Sequence, residues 1–198
     1  MNKPEINTQY QILENSWAGN NLRSLMLHTT AGSSVIGAYE TLKARGLSYN
    51  YLISNGKIYE IVPYDRCAWH AGVIRQPNMR SRVFYKTLTG EDNPNKHSVG
   101  IAFVQARGVT ELPEEDIDAF VLLSKWIGQQ TGYRYTADNI FYHKEVTSDK
   151  PWEVEGYRLQ ALDGLVGDKD DTDEVVEQKL KLIIKYLHLL ITELRKKK

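Results

Sequence analysis

Residues 25–46 read LMLHTTAGSSVIGAYETLKARG and contain the pattern that decides the fold. The apolar run 25–27 ends on His28 and is followed by small and polar residues, which is typical of a buried strand that leads into a loop. Apolar residues then recur at helical spacing over 34–45, and Gly46 is a suitable C-terminal stop. The segment predicts a strand, a loop and a helix, with His28 at the end of the strand.

A β-hairpin is predicted at residues 49–62, YNYLISNGKIYEIV. Its centre is Asn55-Gly56, the dipeptide best suited to the positive backbone angles of a two-residue turn. Residues 98–104, SVGIAFV, predict another buried strand because they form a continuous run of small and apolar side chains. Residues 72–96 lack periodicity, so we expect a long loop there that shapes substrate choice.

A second helix is predicted between Pro113 and Gly132. Proline suits the first turn of a helix, and the three acidic residues that follow Pro113 suit the positive end of the helix dipole. The run NIFY, 139–142, then leads into His143, so a second histidine follows a predicted strand. In open α/β sheets such strand ends are where ligands gather.

These elements predict one α/β domain over residues 1–165, with a mixed central β-sheet flanked by helices and a C-terminal helical extension. A charged linker over 166–174 leads into an amphipathic helix over 175–198, whose apolar residues alternate spacings of three and four. This helix either packs back on the domain or pairs with a second copy as a homodimer. A further interpretation makes it the main functional element of an assembly component.

Composition excludes several classes of function. Twenty-five basic residues balance twenty-five acidic ones, so we expect no binding of nucleic acid through overall charge. No apolar run is long enough for a membrane span, and the first residues, MNKPEINTQYQILEN, lack the apolar core of a signal peptide. We therefore expect synthesis in the cytoplasm without a signal peptide. The single cysteine, Cys67, excludes an internal disulfide and a four-cysteine zinc site.

A metal site could be formed by His28, His143 and Asp149. Catalytic zinc takes three protein ligands and keeps a fourth position for water. Two imidazoles and a carboxylate meet that requirement. Spacing alone leaves the ordinary alternative open, because the five histidines of this chain could be surface or core residues.

Five short motifs give a family resemblance. They are LMLHTTAG at 25–32, YNYLISNGKIYEIV at 49–62, CAWHAG at 67–72, HSVGIAFV at 97–104 and HKEVTSDKP at 143–151. In this order they resemble the second N-acetylmuramoyl-L-alanine amidase family, which includes phage lysozyme-type amidases and peptidoglycan recognition proteins. The resemblance implies an α/β fold with a mixed sheet and one Zn²⁺. It also implies hydrolysis of the lactyl amide between muramic acid and L-alanine by attack of a zinc-bound water.

The resemblance also implies the metal ligands. His28 matches the first zinc histidine of the family, His143 the second, and Asp149 most resembles the third ligand. Asp149 follows His143 at a shorter distance than in relatives, and Glu145 is the nearest substitute. The ordinary interpretation of Glu145 is a solvated acid beside Lys144.

Five positions bear on catalysis. Tyr49 corresponds to a tyrosine that some relatives use to orient water and stabilise the oxyanion, and its ordinary alternative is packing in a strand. Ala102 stands where many relatives have glutamate, which favours the branch that uses tyrosine. Thr147 matches the threonine of catalytic recognition proteins, and Lys150 is the alternative oxyanion-stabilising group. His70 matches a family histidine that faces the cleft and could polarise the scissile carbonyl or bind substrate.

The implied partners are peptidoglycan or muropeptides. The protein would act on the cell wall after release through a membrane lesion, as a phage lysin does, or on muropeptides in the cytoplasm. Members of the fold that lose a zinc ligand bind muropeptide without cutting it. A non-catalytic binding module is therefore the main alternative, favoured by the short spacing before Asp149.

Overall fold

The computed structural model describes residues 3–73, 93–146, 160–163, 165 and 184. Most of the predicted 72–96 loop, the linker and the C-terminal helix lie outside the described residues. So do three predicted site residues, Thr147, Asp149 and Lys150. Within the described part of the chain, no helix has the length and apolar character needed to cross a membrane.

A mixed β-sheet forms the centre of the described structure. The strands are β1 Ile6–Asn7, β2 Ser16–Ala18, β3 Ser24–Ala31, β4 Tyr51–Ser54, β5 Lys57–Glu60, β6 Arg66–Ala68, β7 Ser98–Ala106 and β8 Ile140–Tyr142. Six of them pair in the order β1-β5-β4-β7-β3-β8, while β2 and β6 form a small antiparallel sheet. Strands β4, β7, β3 and β8 are parallel neighbours, whereas β5 is antiparallel to β4. The predicted α/β class with a mixed sheet is confirmed.

Two helices begin and end where the sequence predicts, and a third, short helix was not predicted. They are α1 Val35–Arg45, α2 Glu114–Thr131 and the short α3 His143–Val146. The Ser34 side chain accepts a hydrogen bond from the Gly37 N–H at the start of α1, which satisfies one of the free amides of the first turn. Gly46 and Gly132 adopt left-handed conformations that end α1 and α2.

The predicted hairpin is formed by β4 and β5. Asn55 and Gly56 have φ angles of 52° and 69°, as a two-residue turn of this type requires. The first strand is shorter than predicted, because β4 begins at Tyr51 and Tyr49 precedes it. Tyr49 is therefore not a strand residue.

Strand β3 is longer than predicted. It continues to Ala31, and Thr29 still pairs with Phe103 of β7. Pairing with β7 thus extends the strand through polar residues that would otherwise favour a loop. The prediction that His28 ends its strand is wrong, because His28 lies inside β3, opposite Ala102.

The two faces of the sheet have different cores. The face that packs against α2, here called the α2 face, contains Leu25, Leu27 and large aromatic side chains. The face that packs against α1, the α1 face, contains smaller side chains such as Ala102 and Ala38. Because successive strand residues point to opposite faces, His28 lies on the α1 face.

Candidate metal centre

Three aromatic side chains surround His28 on the α1 face. The centroid of the His28 ring lies 4.9 Å from that of Tyr49, 5.1 Å from that of His70 and 4.8 Å from that of His143. These residues come from β3, the segment before β4, the segment after β6 and the start of α3. The structure therefore brings together four of the predicted site residues from distant parts of the sequence.

The three histidines of this cluster are buried. His28 and His143 are each 1% exposed, and His70 is 8% exposed. Burial lowers the pKa of His70 well below its ordinary value, and the neighbouring His28 and His143 lower it further. His70 is therefore neutral at physiological pH. A neutral imidazole donates a hydrogen bond with one ring nitrogen and accepts with the other.

The donor chemistry of this cluster fits Zn²⁺. Imidazole nitrogen is a preferred zinc ligand, and the buried rings of His28 and His143 meet in an edge-to-face arrangement. No group of three His, Cys, Asp or Glu side chains that could hold a metal occurs among residues 3–73 and 93–146 or the few described beyond them. His70 is therefore not a third ligand in this arrangement. Asp149, which the family resemblance implies as the third ligand, lies outside the described residues.

Glu145 has a structural role next to this cluster. Its Oε2 accepts a hydrogen bond from the Tyr142 N–H at 2.9 Å, and the side chain is buried. The bond joins the end of β8 to the start of α3, where His143 lies. The interpretation of Glu145 as a solvated acid is wrong, because the adjoining strand and helix bury its carboxylate.

His70 is held through its backbone and its ring. Asn95 Oδ1 accepts hydrogen bonds from the His70 N–H at 3.1 Å and the Ala71 N–H at 2.8 Å. Nδ1 of the ring lies 2.9 Å from His28 Nε2, and Nε2 lies 3.3 Å from Ser98 Oγ. A sequence motif predicts His70 as a site residue, whereas none predicts Asn95 or Ser98. No local pattern marks these two residues, because each acts on a segment more than twenty positions away.

A cavity of about 220 Å³ adjoins the cluster. Tyr49 and His70 line the cavity where it meets the cluster, and α1 lines one side with small residues that include Gly37 and Ala38. Arg45 is the one charged side chain among the described lining residues. Hydroxyl groups come from Thr30, Ser33, Ser34, Thr41, Ser48 and Tyr49. The cavity thus suits a polar ligand that carries negative charge.

A pair of tryptophans includes one residue of the cavity lining. Trp69 lines the cavity, and its ring centroid lies 5.4 Å from that of Trp17, which is 45% exposed. Trp17 belongs to β2 and Trp69 directly follows β6, so the small antiparallel sheet presents both rings. The exposed Trp17 ring and the half-buried Trp69 ring provide flat apolar surface for a ligand ring. None of the sequence motifs includes Trp17.

Comparison with known proteins supplies the family context. A family model described as N-acetylmuramoyl-L-alanine amidase matches residues 18–153. The structure is similar to the endolysin N-acetylmuramoyl-L-alanine amidase LysCS from Clostridium intestinale URNW, at 16% identity and TM-score 0.61, over 85% of this chain and 99% of that one. A comparison with curated protein sequences gives no match.

Two more distant structures share the fold. The Staphylococcus aureus hydrolase AmiA in complex with its ligand has 13% identity and a TM-score of 0.53, over 83% of this chain and 82% of that one. The Drosophila peptidoglycan recognition protein PGRP-SA has 20% identity and a TM-score of 0.52, over 74% and 84%. At these identities the likeness shows a common fold.

Proposed function

The chain belongs to the N-acetylmuramoyl-L-alanine amidase family, and from this premise we propose that it is a zinc-dependent hydrolase of the lactyl amide between muramic acid and L-alanine. One observation carries the proposal: His28, His143, Tyr49 and His70 meet beside a polar cavity. Burial excludes bulk water from the imidazoles, which favours a metal over a surface cluster. The substrates we propose are peptidoglycan or muropeptides.

We assign His28, His143 and Asp149 as the ligands of one Zn²⁺. Bound zinc supplies a hydroxide nucleophile at neutral pH and polarises the amide carbonyl. The two histidines are supported by their burial and by the 4.8 Å between their ring centroids. Asp149 is supported by the family resemblance and by the absence of a three-ligand group among the described residues.

Tyr49 is the group that we assign to oxyanion stabilisation. It lines the cavity and its ring lies against that of His28, so its hydroxyl group can donate to the oxygen that gains negative charge during attack. Ala102 is fully buried opposite His28 and brings no carboxylate to that position. The tyrosine is therefore the residue that we assign to orient the water and to stabilise the oxyanion. Thr147 and Lys150 are proposed for the same oxyanion on the family resemblance.

The cavity is the proposed binding site for the part of the muropeptide next to the cleaved bond. Muropeptides combine carboxylates, hydroxyl groups and sugar rings. Arg45 can form a charge-assisted hydrogen bond to a carboxylate, and Trp17 and Trp69 can pack against a sugar ring. The lining of the cavity thus matches the chemistry of the proposed substrate.

Hydrolysis of a defined muramoyl-peptide tests the function. Purified full-length protein loaded with Zn²⁺ should release a peptide whose first residue is alanine with a free amino group, identified by mass spectrometry. Chelation should stop the reaction, and added Zn²⁺ should restore it. Zinc-loaded protein that binds the muramoyl-peptide without releasing peptide would instead identify a binding module.

The place of action and the assembly state are also proposals. The protein would act on the cell wall after release from the cytoplasm, or on muropeptides within the cytoplasm. Residues 175–198 would either pack on the domain or form the seam of a homodimer, as their sequence pattern allows. Deletion of these residues should then convert a dimeric mass in solution to a monomeric one, and a monomeric full-length chain would exclude the seam.

A further inference from the structure

Ser48 joins three segments of the chain at the position directly before Tyr49. Its side chain is fully buried, and its hydroxyl group donates to the carbonyl oxygen of Asn15 and accepts from the Trp69 N–H at 2.9 Å. The Ser48 N–H also donates to the carbonyl oxygen of Trp69 at 3.3 Å. Ser48 therefore ties the residue before β2 and the residue after β6 to the segment that leads into β4.

The Ser48 hydroxyl is unsuited to bind a ligand, although Ser48 belongs to the cavity lining. The residue is 0% exposed, and the hydroxyl proton points to the Asn15 carbonyl, because a carbonyl can only accept. Removal of the hydroxyl would take this partner from the Asn15 carbonyl and from the Trp69 N–H. Because unpaired buried polar groups cost free energy, we expect the adjoining backbone to shift. The role of the hydroxyl is thus to hold the backbone around Tyr49.

Asn50 holds the chain on the other side of Tyr49. Its N–H donates to the carbonyl oxygen of Gly100, and its Oδ1 accepts from the Gly100 N–H, each at 2.8 Å. Its Nδ2 donates to the carbonyl oxygens of Pro63 and Arg66, each at 3.0 Å. Tyr49 lies outside β4, but both of its neighbours in the sequence are bonded to distant segments. The half-buried Tyr49 side chain therefore extends from a backbone that is held on either side.

We infer that Ser48 is a positioning residue that holds Tyr49 against His28 and so sets the place of the phenol at the cavity. The inference rests on the proposed function, because it takes Tyr49 as the residue that stabilises the oxyanion. The ring centroids of Tyr49 and His28 lie 4.9 Å apart. A misplacement of about 1 Å in a reacting group can cost a large part of the rate. Loss of the Ser48 hydroxyl should therefore lower the rate through Tyr49.

A double-mutant cycle tests this dependence on Tyr49, with a defined muramoyl-peptide as substrate. Ser48→Ala should lower kcat by about tenfold in the wild type, which is within the range of coupling between residues in contact. In a Tyr49→Phe protein, which lacks the phenol oxygen, Ser48→Ala should leave kcat unchanged. A merely structural role predicts the same loss in both proteins. Equal losses, or no loss in the wild type, would overturn the inference.

The position of Tyr49 can also be measured without hydrolysis. In the purified full-length protein, the nuclear Overhauser effect between the ring protons of Tyr49 and His28 reports how close the two rings lie. We expect a weaker effect in Ser48→Ala and an unchanged one in Ser24→Ala. Ser24 is the matched control, because it is an equally buried serine whose hydroxyl donates to a backbone carbonyl, that of His97.

The two measurements separate failure of the inference from failure of the proposed function. Ser48→Cys keeps a weaker hydrogen-bonding group and replaces Ser48→Ala in both tests if that variant does not fold. A protein that does not hydrolyse the muramoyl-peptide would contradict the proposed function, and the ring contact would still test the role of Ser48. An equally strong effect between the rings of Tyr49 and His28 in the variants of Ser48 and Ser24 would overturn the inference.

Discussion

The α2 face and the α1 face of the sheet are built from alternate residues of the same strands but have opposite properties. On the α2 face, Tyr51, Phe103 and Phe120 are fully buried in a continuous apolar core. On the α1 face, Gly100 and Ala102 leave room for buried polar side chains and for a cavity. Large aromatic side chains on the α2 face stabilise the fold. The α1 face can therefore contain small side chains and a cavity without loss of the folded state.

The difference also concerns hydrogen bonds. Two pairs of buried polar residues on the α1 face are joined over long sequence distances, Asn50 with Gly100 and His70 with Ser98. Such pairs keep the imidazoles in one arrangement, because an unpaired buried polar group costs about 1–3 kcal/mol. The α1 face therefore holds His70 through hydrogen bonds rather than through large apolar side chains.

The largest expected effect is on the α1 face. His28→Ala should lower hydrolysis of a muramoyl-peptide by about 10⁴-fold, equivalent to about 5 kcal/mol, because the metal loses a ligand. The thermal unfolding midpoint of the zinc-free protein should change little, since the residue contributes no apolar packing to the α2 face. Hydrolysis at the wild-type rate by His28→Ala would contradict the assignment of the active site to the α1 face.

The converse substitution is on the α2 face. Phe120→Ala should destabilise the protein by about 3–5 kcal/mol, because it leaves a cavity in the apolar core. Denaturant unfolding measures this loss. At temperatures where the variant is folded, its zinc affinity should equal that of the wild type. Loss of zinc binding by a folded Phe120→Ala protein would show that the two faces are not independent.

Two tyrosines on the α1 face allow a sharper comparison. Tyr49→Phe should lower kcat by about 100-fold with little change in KM, because its hydroxyl is assigned to the transition state. Tyr39→Phe is the control: Tyr39 packs against the same apolar cluster, and its ring contacts Tyr10. Steady-state kinetics of both variants decide the matter, and equal rates would exclude a catalytic role for Tyr49.

The dependence of KM on substrate charge tests the proposed role of Arg45 in the cavity. Arg45→Gln should raise KM by about tenfold for a muropeptide with a free carboxylate and much less for the same peptide with that group amidated. Lys43→Gln is the control on the same helix, since Lys43 lies over the Tyr39 ring. An equal rise for both substrates would mean that Arg45 does not recognise a carboxylate.

The smallest expected effect concerns Asp116 in the first turn of α2. Burial raises the pKa of its carboxyl group, although the Gly56 N–H and the Gln105 amide donate to it. A carboxyl group with a higher pKa in the folded state binds its proton more tightly there, so its contribution to stability falls as the pH rises through that pKa. The stability of the wild type relative to Asp116→Asn should thus be lower at pH 7 than at pH 3. Denaturant unfolding measures the free energy of unfolding of both proteins at each pH. A difference between the two proteins that is the same at pH 3 and pH 7 would contradict this prediction.

Much of the fold could be predicted from local patterns. The hairpin at Asn55-Gly56 and the glycine ends of α1 and α2 follow from the backbone angles that these residues favour. Strands β1, β2 and β6 were not predicted, because each is only two or three residues long and depends on pairing with a distant partner. The length of β3 was also underestimated, because its pairing with β7 extends the strand beyond His28 to Ala31.

The site could be predicted only in part. His28, His70 and His143 stand in recognisable motifs, and Tyr49 was found through the family resemblance. The hydrogen bonds from Asn95 and Ser98 to His70 could not be predicted, because these residues are distant from His70 in the sequence and no periodic pattern connects them. Gly100 offered a signal, since a glycine inside a buried strand often marks a close approach by another group.

Zinc content tests the central claim most directly. Metal analysis of the purified full-length protein after dialysis should give about one Zn²⁺ per chain for the wild type and far less for His28→Ala and His143→Ala. A wild type without zinc, or zinc content unchanged in both variants, would contradict the account of the α1 face as a metal centre.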